Sequence, residues 1–170
     1  MIRAVLFDLG DTLETDGRLL PGAVEALEGV AGLSNAGARL KMGLISDYTM
    51  PPAGAGPERI DALFREYVEI VRRLGLLRFF EPPEQHVTLS THAGVLKPDA
   101  KIFQLALRRL GIGGDVTAAI FITEDADHVR AAKKLGMTGL QYGSASGIPA
   151  WSSAVPTIRR ILEEDRTKRR

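Results

Sequence analysis

The chain has 170 residues, 45% hydrophobic and 25% charged, with a formal net charge of +1 and no cysteine, which is the length and balance of one compact globular domain. The absence of cysteine excludes disulfides, thiolate metal sites and cysteine nucleophiles, the near-neutral charge leaves no global attraction for nucleic acid, and no apolar run approaches the roughly 20 residues that a bilayer requires. The first element is a buried strand over Arg3 to Phe7, with no basic stretch ahead of it and no small-residue cleavage site behind it, so no secretory signal is expected and a cytoplasmic location is. Pro21 then opens a helix through Ala23, Ala26, Leu27 and Val30 that Gly32 ends, because proline at a first helical position sacrifices no hydrogen bond. A second strand is predicted over Leu40 to Ile45, followed by the Pro- and Gly-rich run from Met50 to Pro57, which reads as a surface loop. From Pro57, apolar residues recur at three- and four-residue spacing (Ile60, Leu63, Phe64, Tyr67, Ile70, Val71, Leu74) up to Gly75, the pattern of a core-facing helix. The remaining predicted elements are a strand over His86 to Leu89, a helix from about Asp99 to Leu110, a strand over Ala118 to Ile122, a helix from about Asp125 to Leu135, a strand over Thr138 to Gln141 and a helix from about Ala154 to Glu164.

Short apolar strands alternating with helices specify a parallel sheet covered on both faces, a three-layer α/β sandwich. Residues 1–165 are expected to form this core domain, and 166–170, with Arg166, Lys168, Arg169 and Arg170, a solvated charged tail. In open sheets of this kind ligands bind beyond the carboxyl ends of the strands, where the strand order reverses. The residues that fall there are polar: Asp8 after the first strand, Ser46 and Asp47 after the second, and Thr123, Glu124 and Asp125 after the fourth. A strand-ending aspartate before a Gly-Asp-Thr turn is by itself a turn former, a metal ligand or a nucleophile on phosphorus.

The company of Asp8 narrows that choice. The run Val5-Leu6-Phe7-Asp8-Leu9-Gly10-Asp11-Thr12-Leu13 resembles the first motif of the haloacid dehalogenase-like hydrolase superfamily, an apolar strand followed by Asp-x-Asp-x-Thr-Leu. Gly43 to Asp47 resembles the second, a strand ending in a hydroxyl residue; Gly94-Val95-Leu96-Lys97-Pro98-Asp99, leading to Ile102-Phe103, resembles the third; Ile120 to His128, running on to Leu135-Gly136-Met137, resembles the fourth. Order and spacing agree over roughly residues 1–145. The resemblance implies a Rossmann-like sandwich with a five-stranded parallel sheet of order 3-2-1-4-5. It also implies a phosphomonoester phosphatase working through an aspartyl-phosphate. In that reading Asp8 is the nucleophile, and Ser46 and Lys97 hold the phosphoryl group. Asp8, the Gly10 carbonyl and Glu124 bind magnesium, with manganese as the alternative.

The sequence departs from the pattern at three places. The second aspartate of the first motif, which protonates the leaving oxygen, is Gly10, and Asp11, one residue on, is expected to face the opposite way. The acidic positions of the fourth motif fall on Glu124 and His128; glutamate is an acceptable oxygen ligand for magnesium, whereas imidazole is a poor one. Asp125 is expected to cap the following helix, and Trp151 to be a packing residue. Only about 30 residues separate Asp8 from the second strand, room for one turn and one helix, so no cap domain is expected there, nor between Ser46 and Lys97. An uncapped site implies macromolecular phosphorylated substrates or closure by a neighbouring subunit in a homo-oligomer. Two alternatives stand beside the phosphatase: a catalytically impaired domain serving as a binding or interaction module, to which Gly10 and His128 point, and carbon–halogen cleavage, which needs neither metal nor the second aspartate but calls for an enclosing cap.

Overall fold

In the computed structural model, which describes residues 1–168, β1 (Ala4–Phe7) is buried at every position. Burial on both faces is what a run of Ala, Val, Leu and Phe requires and what the centre of a parallel sheet provides. Its neighbours are β2 (Lys41–Ser46) and β4 (Ala119–Thr123), with Phe7 in register between Leu44 and Ile122. Adding β3 (Val87–Leu89) beside β2 and β5 (Thr138–Gln141) beside β4 gives one all-parallel sheet in the order β3-β2-β1-β4-β5. The expected strand order is therefore observed, with strand ends moved by a residue.

Alternate residues of each strand divide the core in two. Val5, Phe7, Leu44 and Ile122 face α1 (Ala23–Ala31), α2 (Pro57–Arg73) and α5 (Ala154–Thr167), through Leu27, Val30, Val68, Val71, Ile158 and Leu162 among others. Ala4, Leu6, Ile45 and Phe121 face α3 (Ala100–Arg109) and α4 (Ala126–Lys134), where the Phe103 and Phe121 rings meet edge to face at 5.0 Å. The three layers follow from the period-two alternation of the strands. Phe64, Tyr67, Val68 and Val71 of α2 belong to the same cluster as the sheet, so the segment between β2 and β3 packs as part of the main core.

Two local expectations are corrected. Pro57 does take the first turn of α2, but Pro21 lies in the turn ahead of α1, whose cap is Gly22 at φ 81°. The chain also forms two small antiparallel hairpins, Glu14–Thr15 with Arg18–Leu19 and Ser34–Asn35 with Ala38–Arg39. Both turn on a pair of left-handed residues, Asp16-Gly17 and Ala36-Gly37. The first pair is a recognised hairpin signal, whereas an alanine at positive φ is not. Helix α5 reaches Thr167, past the boundary expected at 165; of the predicted basic tail, Arg169 and Arg170 lie outside the described residues. Among the described residues no helix is long and apolar enough to cross a membrane.

Phe103 is fully buried between α3 and the sheet. Phe103→Ala is expected to lower the unfolding free energy by about 3–5 kcal/mol, read as a fall in the urea midpoint at unchanged slope.

Candidate active site

The chain builds β1, β2 and β3 outward on one side and then crosses to β4 and β5, so the strand order reverses beside β1. Asp8 stands at that point, its N–H still donating to Ile122 O at 2.9 Å, so the ladder to β4 fixes the backbone one residue past the strand end. Its carboxylate is almost wholly buried and fully engaged. Oδ1 accepts from the Leu9 N–H at 2.8 Å, and Oδ2 lies 3.1 Å from the Thr123 hydroxyl and 2.5 Å from Lys97 Nζ.

Lys97 comes from the loop before α3 and is itself 7% exposed. A buried ammonium needs an opposite charge, and Asp8 supplies it. The backbone at Lys97 is held in turn by Asp47, whose Oδ1 accepts the Lys97 N–H at 2.8 Å. Asp47 follows Ser46 directly, so one short segment after β2 supplies a site hydroxyl and anchors the lysine loop. That segment is tied to the next turn by Ser90 and Thr91, whose hydroxyls bond the carbonyls of Tyr48 and Thr49 at 3.0 and 2.9 Å.

Asp8, Ser46 and Lys97 share one cavity of about 360 Å³ with Gly10, Asp47, Tyr67, Ile70, Glu14 and His128. Tyr67, Ile70 and Glu14 were not legible as site residues. Tyr67 and Ile70 belong to the apolar stripe of a helix and read as core, which Tyr67 also is. Its hydroxyl lies 2.5 Å from Ser46 Oγ. Burial pushes the Tyr67 pKa well above the ordinary phenol range, against the lowering effect of the Ser46 hydrogen bond, so the hydroxyl remains protonated.

Glu14 stands on the first hairpin, with Oε2 accepting the Gly17 N–H at 2.9 Å. A Cβ built on Gly10 would lie 4.0 Å from Glu14 Oε1, its nearest neighbour. Asp11, by contrast, adopts φ 54° and directs its Oδ1 to the hydroxyls of Thr15 and Ser144, at 2.7 and 3.3 Å, away from the cavity lining. It does not take the place of the missing carboxylate at position 10.

Behind Asp8 lies Glu124. The Thr123 hydroxyl sits 3.1 Å from both Asp8 Oδ2 and Glu124 Oε2, and having one proton it donates to one of them at a time. The Glu124 N–H is taken by the buried Thr12 hydroxyl at 3.0 Å. The carboxyl of Glu124 is raised above its ordinary pKa, first by burial and then by the charges of Asp8, Asp125 and Asp11, with Thr123 opposing. Two carboxylates converging on one hydroxyl, Asp8 paired with Lys97 and Glu124 without a cationic partner among the described residues, make an all-oxygen donor set that fits a hard cation. Among the described residues no group of three acidic, histidine or cysteine side chains is gathered closely enough to hold a metal unaided. A cation here would accordingly depend on the Gly10 carbonyl, water and phosphoryl oxygens for its remaining ligands. Asp125 caps α4 as expected, accepting from the Asp127 and His128 N–H groups at 2.7 and 3.2 Å. His128 lines the cavity with its Nδ1 3.7 Å from Asp125 Oδ2 and without a hydrogen-bond partner.

Two contacts secure the loop that carries these residues. Trp151 is a packing residue, stacked on Tyr142, but its Nε1–H also donates to Thr12 O at 3.0 Å. Gly143, at φ 154°, passes so close that a Cβ on it would lie 2.2 Å from Asp11 O and 2.4 Å from Glu124 Cβ, while the next residue's N–H donates to Asp11 O at 2.7 Å.

No protein-family model matches the chain. Solved structures do resemble it. A haloacid dehalogenase-superfamily hydrolase from Ehrlichia chaffeensis superimposes with a TM-score of 0.60 at 15% identity, over 96% of this chain and 98% of its own. A hydrolase of the same superfamily from Deinococcus radiodurans, with bound phosphate and sodium, gives 0.58 at 16% identity over 92% and 88%. The L-2-haloacid dehalogenase from Xanthobacter autotrophicus gives 0.55 at 18% identity over 83% and 77%. The chain therefore has the haloacid dehalogenase-like fold, as its motifs imply.

Gly143→Ala is expected to displace the Asp11 loop from Glu124 and to cost about 2–4 kcal/mol, as overpacking at positive φ does, measured as a lowered thermal midpoint. An alanine there without effect would show that the loop yields freely.

Proposed function

We propose that this chain, with its haloacid dehalogenase-like fold, is a phosphomonoester hydrolase that uses Asp8 as a nucleophile. The observation that carries the reading is the meeting of Asp8, Ser46 and Lys97 in one cavity, with the Lys97 ammonium 2.5 Å from the Asp8 carboxylate. Each element supports it chemically. Lys97 lowers the repulsion between two anions, the carboxylate and the approaching phosphoryl group, and Ser46 offers a hydroxyl donor to a phosphoryl oxygen. An Asp8 oxygen attacks phosphorus, and the bond to the leaving oxygen breaks with its electron pair. The aspartyl-phosphate is then cleared when water attacks, releasing inorganic phosphate and regenerating the carboxylate.

Asp8, Glu124 and the Gly10 carbonyl are the groups that would hold magnesium, or manganese in its place; a bound cation there supplies neutralisation of phosphoryl charge. Phosphate in the similar Deinococcus hydrolase supports an anion site in a fold of this kind. With no separate cap over the cavity, the substrate class includes phosphorylated macromolecules, and a second copy of the chain would be the natural cover.

Position 10 holds no acid to protonate the leaving oxygen. Such help contributes roughly a hundred- to ten-thousand-fold in rate, so the chain is expected to act on acyl and aryl phosphates, whose leaving groups need little protonation, in preference to alkyl ones. Hydrolysis of acetyl phosphate and para-nitrophenyl phosphate with magnesium or manganese should fall about a thousandfold or more in Asp8→Asn. No turnover above the Asp8→Asn background with either metal would overturn the hydrolase and leave the fold as a binding module. Because a Cβ at position 10 would meet nothing nearer than Glu14 Oε1 at 4.0 Å, Gly10→Asp should raise turnover of glycerol phosphate relative to para-nitrophenyl phosphate by about tenfold or more. An unchanged ratio would show that leaving-group protonation is not the limit.

A further inference from the structure

We infer that Tyr67, on the helix between β2 and β3, is a positioning residue that commits the Ser46 hydroxyl to donate its proton into the cavity. The inference rests on the hydrolase reading of the same site. A serine hydroxyl has one proton and can turn it toward any acceptor in reach. For Ser46 to bind an anionic phosphoryl oxygen, that proton must point at the anion, and its own oxygen must accept from elsewhere. Tyr67 meets this requirement. Its oxygen is 2.5 Å from Ser46 Oγ, and the side chain is 4% exposed, wedged in the core of α2 with its ring edge to face against Tyr48 at 5.2 Å. A phenol this buried keeps its proton, and the geometry has it donate that proton to Ser46 Oγ. With the Ser46 oxygen satisfied by Tyr67, the remaining proton has the cavity as its direction, and the two hydroxyls in series polarise each other toward the anion.

The placement also accounts for a tyrosine where a phenylalanine would fill the core equally well. Tyr67 and Ile70 are three residues apart, hence on one helical face, and both line the cavity. The polar tip of Tyr67 is thus delivered at the edge of the core by the same helix that completes the site wall.

The test is a double-mutant cycle of Tyr67→Phe and Ser46→Ala, keeping the ring and removing only the hydroxyls. Two quantities are measured in all four chains: kcat/KM for para-nitrophenyl phosphate with magnesium, and the affinity for inorganic phosphate by calorimetry. Tyr67→Phe is expected to lower both by about tenfold when Ser46 is present and by less than about twofold when it is alanine, in keeping with the worth of one hydrogen bond to a charged group. An equal loss in both backgrounds, or no loss with Ser46 present, would overturn the positioning role and leave the hydrolase reading intact. If no chain shows Asp8-dependent turnover but phosphate binding shows the same coupling, the hydrolase reading falls and the role of Tyr67 stands. Absence of both turnover and phosphate binding overturns both.

Discussion

The buried ion pair between Asp8 and Lys97 is the constraint around which the rest of the site is arranged. Both charges are nearly out of water, and removing either partner from such a pair costs on the order of 3–5 kcal/mol because the other is left uncompensated. The lysine loop must consequently close over the end of β1, and Asp47 holds it there by its backbone rather than by its charge. The leftover capacity of the pair faces the cavity. An ammonium has three donors, so under the proposed hydrolase reading a phosphoryl dianion would share this one without displacing the carboxylate that it neutralises.

A second charge problem lies behind the first and is left partly unsolved. Asp8 and Glu124 share the single proton of Thr123, and Glu124 is raised by burial and by three neighbouring carboxylates. The backbone there is nonetheless tightly held: Thr12 takes the Glu124 N–H, Trp151 takes the Thr12 carbonyl, and Gly143 packs on Asp11 and Glu124. Rigid backbone with unneutralised oxygen is the condition in which a cation stabilises a site instead of reshaping it.

Helix α2 shows how an element of the main core also builds a wall of the cavity. Its apolar stripe is long enough to join the main core through Phe64, Val68 and Val71, and the same face, carried past the core's edge, supplies Tyr67 and Ile70 to the cavity. Part of the cavity wall in this chain thus comes from an element whose first task is packing, so substitutions in α2 are expected to act on stability and on the cavity together.

The sequence by itself determined the architecture. The inner strands are short runs buried on both faces, which favours apolar residues, and the long helices show their 3.6-residue stripe, so both kinds of element were legible to within about three residues, whereas β5, only partly buried and carrying Thr138 and Gln141, was the weakest of the strand signals. That Asp8, Ser46 and Lys97 would lie together was legible for a related reason: they stand at strand ends or in a motif of fixed spacing, where position along the chain and position in space coincide, and the structure brings them to one cavity. What only the tertiary structure decided is whatever depends on residues far apart in the chain. Asp11 turned away because its backbone adopts a left-handed conformation and its carboxylate finds Thr15 and Ser144. Glu14 came to face Gly10 because a two-residue hairpin too short to show any periodicity folds it back. Tyr67 was hidden most completely, since the spacing that marks a residue as core is indifferent to a hydroxyl at its tip, and only the packing of α2 against β2 brings that hydroxyl to Ser46.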